Sequence, residues 1–150
     1  MIELLYGLSV GILGIFLGTQ IAEGALFVPY WKSMKPSEFF NLHKTYGSRL
    51  YKFFAPITIL ATFIPITAAV YATYSNASGQ LASLVAGVMA FSFFITFPIY
   101  FKKANQSFAD ASLSEEELPK ELTRWGNWHW ARVCMELVAF VSSIVALMQL

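Results

Sequence analysis

Four apolar runs divide the chain. They cover about Ile2 to Val28, Leu50 to Tyr74, Leu81 to Tyr100 and Trp125 to Met148. A backbone surrounded by hydrocarbon must satisfy its own hydrogen bonds, so runs of about 20 apolar residues predict helices. Tyr30 and Trp31 close the first run as an interfacial belt. After Pro36, the apolar residues Phe39, Phe40, Leu42, Tyr46 and Leu50 mix with Lys44, Arg49 and Lys52. That pattern predicts a short amphipathic cytoplasmic helix running into span two. Pro56 and Pro65 predict kinks in that span, and "SNASGQ" predicts a tight polar turn. In the long polar segment before the fourth run, Ser114 and Glu117 form a capping-box pattern that predicts a short helix. No internal repeat of domain-building length is visible. The expected architecture is all-α: a membrane-embedded four-helix bundle forming one domain over residues 1–150.

Composition agrees with the runs. Hydrophobic residues make up 57% of the chain and charged residues 13%, the latter about half the usual share for soluble domains. The net charge of +1 leaves no nucleic-acid footprint. Cys134 is the one cysteine, so neither an internal disulfide nor a cysteine-pair zinc site is available. The first run has no basic segment before it and outlasts a signal-peptide core, so it is expected to be a retained span. All ten Lys and Arg lie in or beside the connections between spans one and two and between spans three and four. The positive-inside rule makes both connections cytoplasmic and both termini non-cytoplasmic, in a plasma or inner membrane. The lipid bilayer is then the first partner of the chain.

Against this apolar background the polar residues stand out. Gly7, Gly11, Gly14 and Gly18 form a small-residue stripe on span one. Such a stripe lets a helix approach closely, within the bundle or from a partner protein. Thr19, Gln20 and Glu23 share a different face of the same helix, about 100–160° away. An ionisable group at that depth is costly, so Glu23 either hydrogen-bonds a neighbouring helix or belongs to a functional site. In "RWGNWHWARVCMELVAF", Trp125, His129, Arg132 and Glu136 are spaced four, three and four residues apart, on one helical face. Arg132 and Glu136 can pair at i,i+4, and a salt bridge would account for both.

The second histidine, His43, lies near the same end of the bundle, before span two. Two readings follow. In the first, Glu23, His43, His129 and Arg132 form a catalytic group, with Trp125, Asn127, Glu136 and Tyr46 around the substrate. In the second, Glu23, His43 and His129 ligate a transition metal, or the two histidines ligate a haem with Arg49 and Arg132 near its propionates. The cofactor is accordingly none, a haem or a transition metal.

Three stretches resemble a known family. "EGALFVPYW", "FPIYFKKANQSF" with Pro98 and Asn105, and "RWGNWHWARVCMELVAF" with Trp125, Asn127, His129 and Arg132 are similar to the anthrone oxygenase-like family of small four-span membrane proteins. The resemblance implies a four-helix membrane bundle. It also implies, for the activity the family is named for, cofactor-independent oxygenation of a polycyclic anthrone.

Three functions are therefore in view. The first is an oxidoreductase or oxygenase acting on a lipophilic or aromatic small molecule in the cytoplasmic half of the bundle. Here His129 is the base, Arg132 stabilises an enolate or phenolate, and Glu23 orients a histidine. The second is a haem or metal protein. The third is a transporter, or an accessory subunit that uses the glycine stripe. The orientation is testable on its own. In a chain lacking Cys134, a cysteine at Ser78 should react with an impermeant thiol reagent from the non-cytoplasmic side. A cysteine at Ser107 should not, and the reverse pattern would overturn the topology.

Overall fold

The computed structural model describes residues 1–150 and contains four long helices and no strand. They are α1 (Ile2–Ser33), α2 (Pro36–Tyr74), α3 (Gln80–Ala109) and α4 (Glu117–Met148), each long and apolar enough to cross a membrane. Short connections make successive helices antiparallel, and packing of α4 on α1 closes the ring. The fold is a membrane-type four-helix bundle. The connections after α1 and α3 share one end, called here the basic end. Both termini and the turn between α2 and α3 share the other.

The amphipathic helix runs straight into span two, as expected. It is the first part of α2, which runs for 39 residues with Pro56 and Pro65 inside it. At about 1.5 Å per residue, such a helix far exceeds the ~30 Å hydrocarbon core. The Ser114–Glu117 box forms. The Glu117 amide donates to Ser114 Oγ at 3.2 Å, and the Ser114 amide donates to Glu117 Oε2 at 2.9 Å. It starts α4 itself, so the predicted short helix is the first turns of span four. At the opposite end Gly79 has φ +76°, and a Cβ there would lie 2.5 Å from the Ala146 carbonyl oxygen. Only glycine combines that backbone with that approach. Tyr6 Oη donates to the Ser78 carbonyl at 3.0 Å and ties the same turn to α1.

Two helices carry one wide, π-type turn each: Glu23–Phe27 in α1 and Phe97–Phe101 in α3. Each accompanies a proline, Pro29 or Pro98. Proline has no amide hydrogen and its ring crowds the carbonyl one turn back. The wide turn makes room, and the ladder resumes through five-residue bonds from Val28 N–H to Glu23 O and from Lys102 N–H to Phe97 O.

The interior is layered. Trp31, Phe39, Phe101, Phe108 and Trp125 belong to the layer at the basic end. Leu13, Phe16, Ala61, Phe93 and Ala139 form the middle layer, and Tyr6, Ala68, Ala72 and Ala146 the layer beside the termini. Between the first and second layers, α1 and α4 bury Gln20, His129, Arg132 and Glu136.

The glycine stripe does not build the bundle. The buried face of α1 carries Tyr6, Leu13, Phe16, Leu17 and Gln20, roughly opposite the stripe at 100° per residue. Beside Gly7, Gly11 and Gly18 an added Cβ would meet nothing within 4 Å, whereas at Gly14 it would lie 3.1 Å from the Phe140 ring. Gly14→Leu should therefore lower thermal stability by about 1–3 kcal/mol through overpacking. Gly11→Leu should leave the melting temperature of the detergent-solubilised protein nearly unchanged. Equal losses would return the whole stripe to the interior.

Candidate functional site

The site begins with a glycine. A Cβ at Gly24 would lie 3.0 Å from His129 Cδ2 and 3.0 Å from Trp130 Cζ2, so the bare backbone lets α1 sit this close to α4 without displacing either ring. The approach brings the Gln20 carbonyl to 2.8 Å from His129 Nε2. A carbonyl only accepts, so Nε2 carries hydrogen. In the neutral ring the lone pair is then on Nδ1. Nδ1 lies 3.9 Å from Glu23 Oε2, and Gln20 Nε2 donates to that same oxygen at 3.4 Å. Trp125 stacks on the imidazole, with ring centroids 5.0 Å apart and planes within 10°. The indole is held in turn by a 2.9 Å bond from its Nε1–H to Asn105 Oδ1 on α3. Asn105 thus acts on the imidazole through Trp125, as a positioning residue.

Arg132 is held differently from its expected pairing. Its guanidinium carbon lies 4.3 Å from the centroid of Phe93 and 4.3 Å from that of Phe101. A desolvated cation–π contact contributes about 2 kcal/mol, and this cation has two. On an unbroken helix Phe101 would stand about 80° round from Phe93. The wide turn at Phe97–Phe101 absorbs roughly one residue of rotation and lets both rings reach the same cation. Glu136, 1% exposed, has no hydrogen-bond partner for either carboxyl oxygen, and Arg132 Nε has none. The only ion-pair contact in the chain joins His129 and Glu23. The Arg132–Glu136 salt bridge is therefore not made. The phenyl rings take the guanidinium instead, and its edge remains for bonding.

Glu23, His129, Arg132 and Glu136 thus share one buried layer, walled by Trp125. His43 is elsewhere. Its ring packs on Trp31, Phe39 and Phe108 at 5.1, 4.0 and 5.7 Å, with Nδ1 3.0 Å from the Phe39 carbonyl. The indoles of Trp31 and Trp125, 5.5 Å apart, stand between the two histidines. This corrects the metal reading: Glu23, His43 and His129 do not converge, and no three Asp, Glu, His or Cys form a ligand group. The same indoles occupy the space where a macrocycle ligated by both histidines would sit, so the residues do not fit a bis-histidine haem. Asn127 and Tyr46 are also outside the layer. Asn127 is exposed, two residues and about 200° from His129 on the helix. Tyr46 is exposed, with the Arg49 guanidinium 5.4 Å over its ring.

Several contributors have no strong sequence signal of their own: the Gln20 carbonyl, Gly24, Phe93 and Phe101. Pro29 and Pro98 are the available hint, because a proline shortly after a polar or aromatic face re-aims that face. The fold and site together define a class: a membrane-type helical bundle with a buried His–Glu–Arg layer held between aromatic rings. No family model, curated protein or solved structure matches the chain.

Gly24→Ala should push His129 and Trp130 away from α1 and cost about 1–3 kcal/mol. Thermal unfolding in detergent should show that loss, and a variant as stable as the parent would refute the close approach.

Proposed function

We propose that the buried layer is an acid–base site of an oxidoreductase or oxygenase acting on a lipophilic aromatic substrate. The observation that carries this reading is the fixed imidazole. Nε2 is engaged by the Gln20 carbonyl at 2.8 Å, so the free nitrogen of the neutral ring, Nδ1, is the one able to take a proton. Glu23 beside it stabilises the imidazolium that forms. Arg132, held against the Phe93 and Phe101 rings, offers its guanidinium N–H groups to the oxygen of the resulting enolate or phenolate. For an anthrone-like substrate the balance closes with dioxygen as oxidant. The ring CH₂ loses a proton to His129, and the enolate electron pair forms a C–O bond to dioxygen. The hydroperoxide, once protonated, loses water to leave a carbonyl. No metal is required by this stoichiometry, and the resemblance to the anthrone oxygenase-like family points the same way.

On this reading the protein lies in a plasma or inner membrane with both termini outside, and the layer occupies the cytoplasmic half. The substrate comes from the bilayer, through the seam between α1 and α4 beside the exposed Trp130.

Oxygen uptake by the protein in lipid nanodiscs, supplied with a hydroxylated anthrone, tests the proposal. Wild-type discs should consume oxygen faster than empty discs, and His129→Ala should lower the rate by about 10²-fold or more. Uptake no faster than in empty discs, or unchanged in His129→Ala, would sink the oxygenase reading.

A further inference from the structure

Away from its two ends, the bundle carries only four charged residues or histidines: Glu23, His129, Arg132 and Glu136. No Asp, Glu, Lys, Arg or His occurs between Lys52 and Lys102, so α2 and α3 bring no charge to the layer. A guanidinium is always charged in a protein. With both carboxyls ionised and the imidazole neutral, the layer would hold one net negative charge in an apolar surround, which is costly. One retained proton removes that charge. The surroundings of the two carboxyls differ. Glu23 Oε2 accepts from Gln20 Nε2 at 3.4 Å and lies 3.9 Å from His129 Nδ1, on a side chain 13% exposed at the seam. Glu136 is 1% exposed, and neither of its oxygens receives a hydrogen bond. A buried carboxylate that no donor reaches is the costlier of the two. Arg132 and Glu23 are the charges within range of Glu136, and they balance each other.

We infer that Glu136 keeps its proton and, with Arg132, forms the oxyanion site of the layer, its O–H and the guanidinium N–H groups donating to the enolate or phenolate oxygen of a lipophilic aromatic. The inference deepens the acid–base reading above and rests on it. Glu136 stands one turn from Arg132 on the same face of α4. Arg132 is held by phenyl rings rather than by hydrogen bonds. A carboxylic acid kept neutral by an apolar site donates a hydrogen bond to an enolate oxygen, whereas a carboxylate in its place would repel the anion. The net charge of the layer then stays at zero throughout. At rest the guanidinium is balanced by Glu23. When the substrate proton passes to His129 Nδ1, the imidazolium balances the new oxyanion.

Two measurements on the protein in nanodiscs test this. At neutral pH the infrared spectrum, less that of empty discs, should contain the carbonyl stretch of a protonated carboxyl, and Glu136→Gln should lose it. The anion of para-nitrophenol, which absorbs visible light where the neutral form does not, should bind saturably in equilibrium dialysis. Glu136→Leu should bind the anion about tenfold more weakly, the factor that one net hydrogen bond supplies. Glu136→Gln, whose amide can still donate, should bind it more tightly than Glu136→Leu. Were Glu136 a carboxylate, its removal would relieve repulsion, and both variants would bind the anion more tightly than wild type. That result, a wild-type protein without the carboxyl band, a band that survives Glu136→Gln, or no saturable anion binding by wild type would each overturn the inference. The wild-type and Glu136→Gln measurements decide even if Glu136→Leu does not fold. Oxygen uptake is a separate readout. The carboxyl band and the expected anion binding without His129-dependent uptake defeat the oxygenase reading alone, and His129-dependent uptake without the band defeats this one alone.

Discussion

The close approach of α1 to α4 at Gly24 is the constraint on which the polar layer depends. A Cβ there would lie 3.0 Å from both the His129 ring and the Trp130 indole, so one of the rings or the helix would have to shift. Without the approach, the Gln20 carbonyl would not reach His129 Nε2, and the imidazole would lose the bond that fixes its tautomer. Glu23 would also move, because it lies in the same wide turn. A backbone carbonyl is a good anchor in this setting. It cannot rotate away, and in an apolar surround its hydrogen bond is not diluted by competing water.

The second organising fact is that Arg132 is solvated by rings. A buried carboxylate–guanidinium pair is often no better than neutral, because desolvating two charges offsets their attraction. Phe93 and Phe101 set their rings against the cation, which is more weakly hydrated than an ammonium. That leaves the guanidinium edge, and it leaves Glu136 one turn deeper without a hydrogen-bond partner. Had the two residues paired, the layer would be self-contained and chemically quiet. Unpaired, it holds polar capacity that a ligand can use.

Much of the fold was legible because membrane helices obey few rules. The four spans follow from apolar length, a helix start at Ser114 and Glu117 from the capping box, though not its continuity with span four, and the inward stripe of Trp125, His129, Arg132 and Glu136 from helical spacing. The glycine stripe shows where periodicity stops: it defines a face but not the direction that face turns. Gly14 alone meets a neighbour, since the larger residues of α1 occupy the inner side. His43 failed for a related reason. Its position near the basic end was readable, but the indoles of Trp31 and Trp125 between it and His129 depend on how α1, α2 and α4 meet. The wide turns were hidden as well, although each is tied to a proline that the sequence displays. Pro29 and Pro98 each add about one residue of rotation to a helix, and a 100° error in rotation is enough to misplace a whole face.

The layering also limits how anything reaches the polar groups. Toward the basic end, Trp31, Phe39, Phe101, Phe108 and Trp125 close the interior. Toward the termini, Leu13, Phe16, Phe93 and Ala139 close it again. Exchange along the bundle axis would require parting one of these packed layers, and with it many dispersion contacts. The sides differ. The Glu23 side chain remains 13% exposed, and Trp130, which abuts Gly24, is 43% exposed. That indole stands edge-on to the His129 ring, with centroids 6.3 Å apart. The polar layer thus comes to the surface at the α1–α4 seam, beside Glu23 and Trp130.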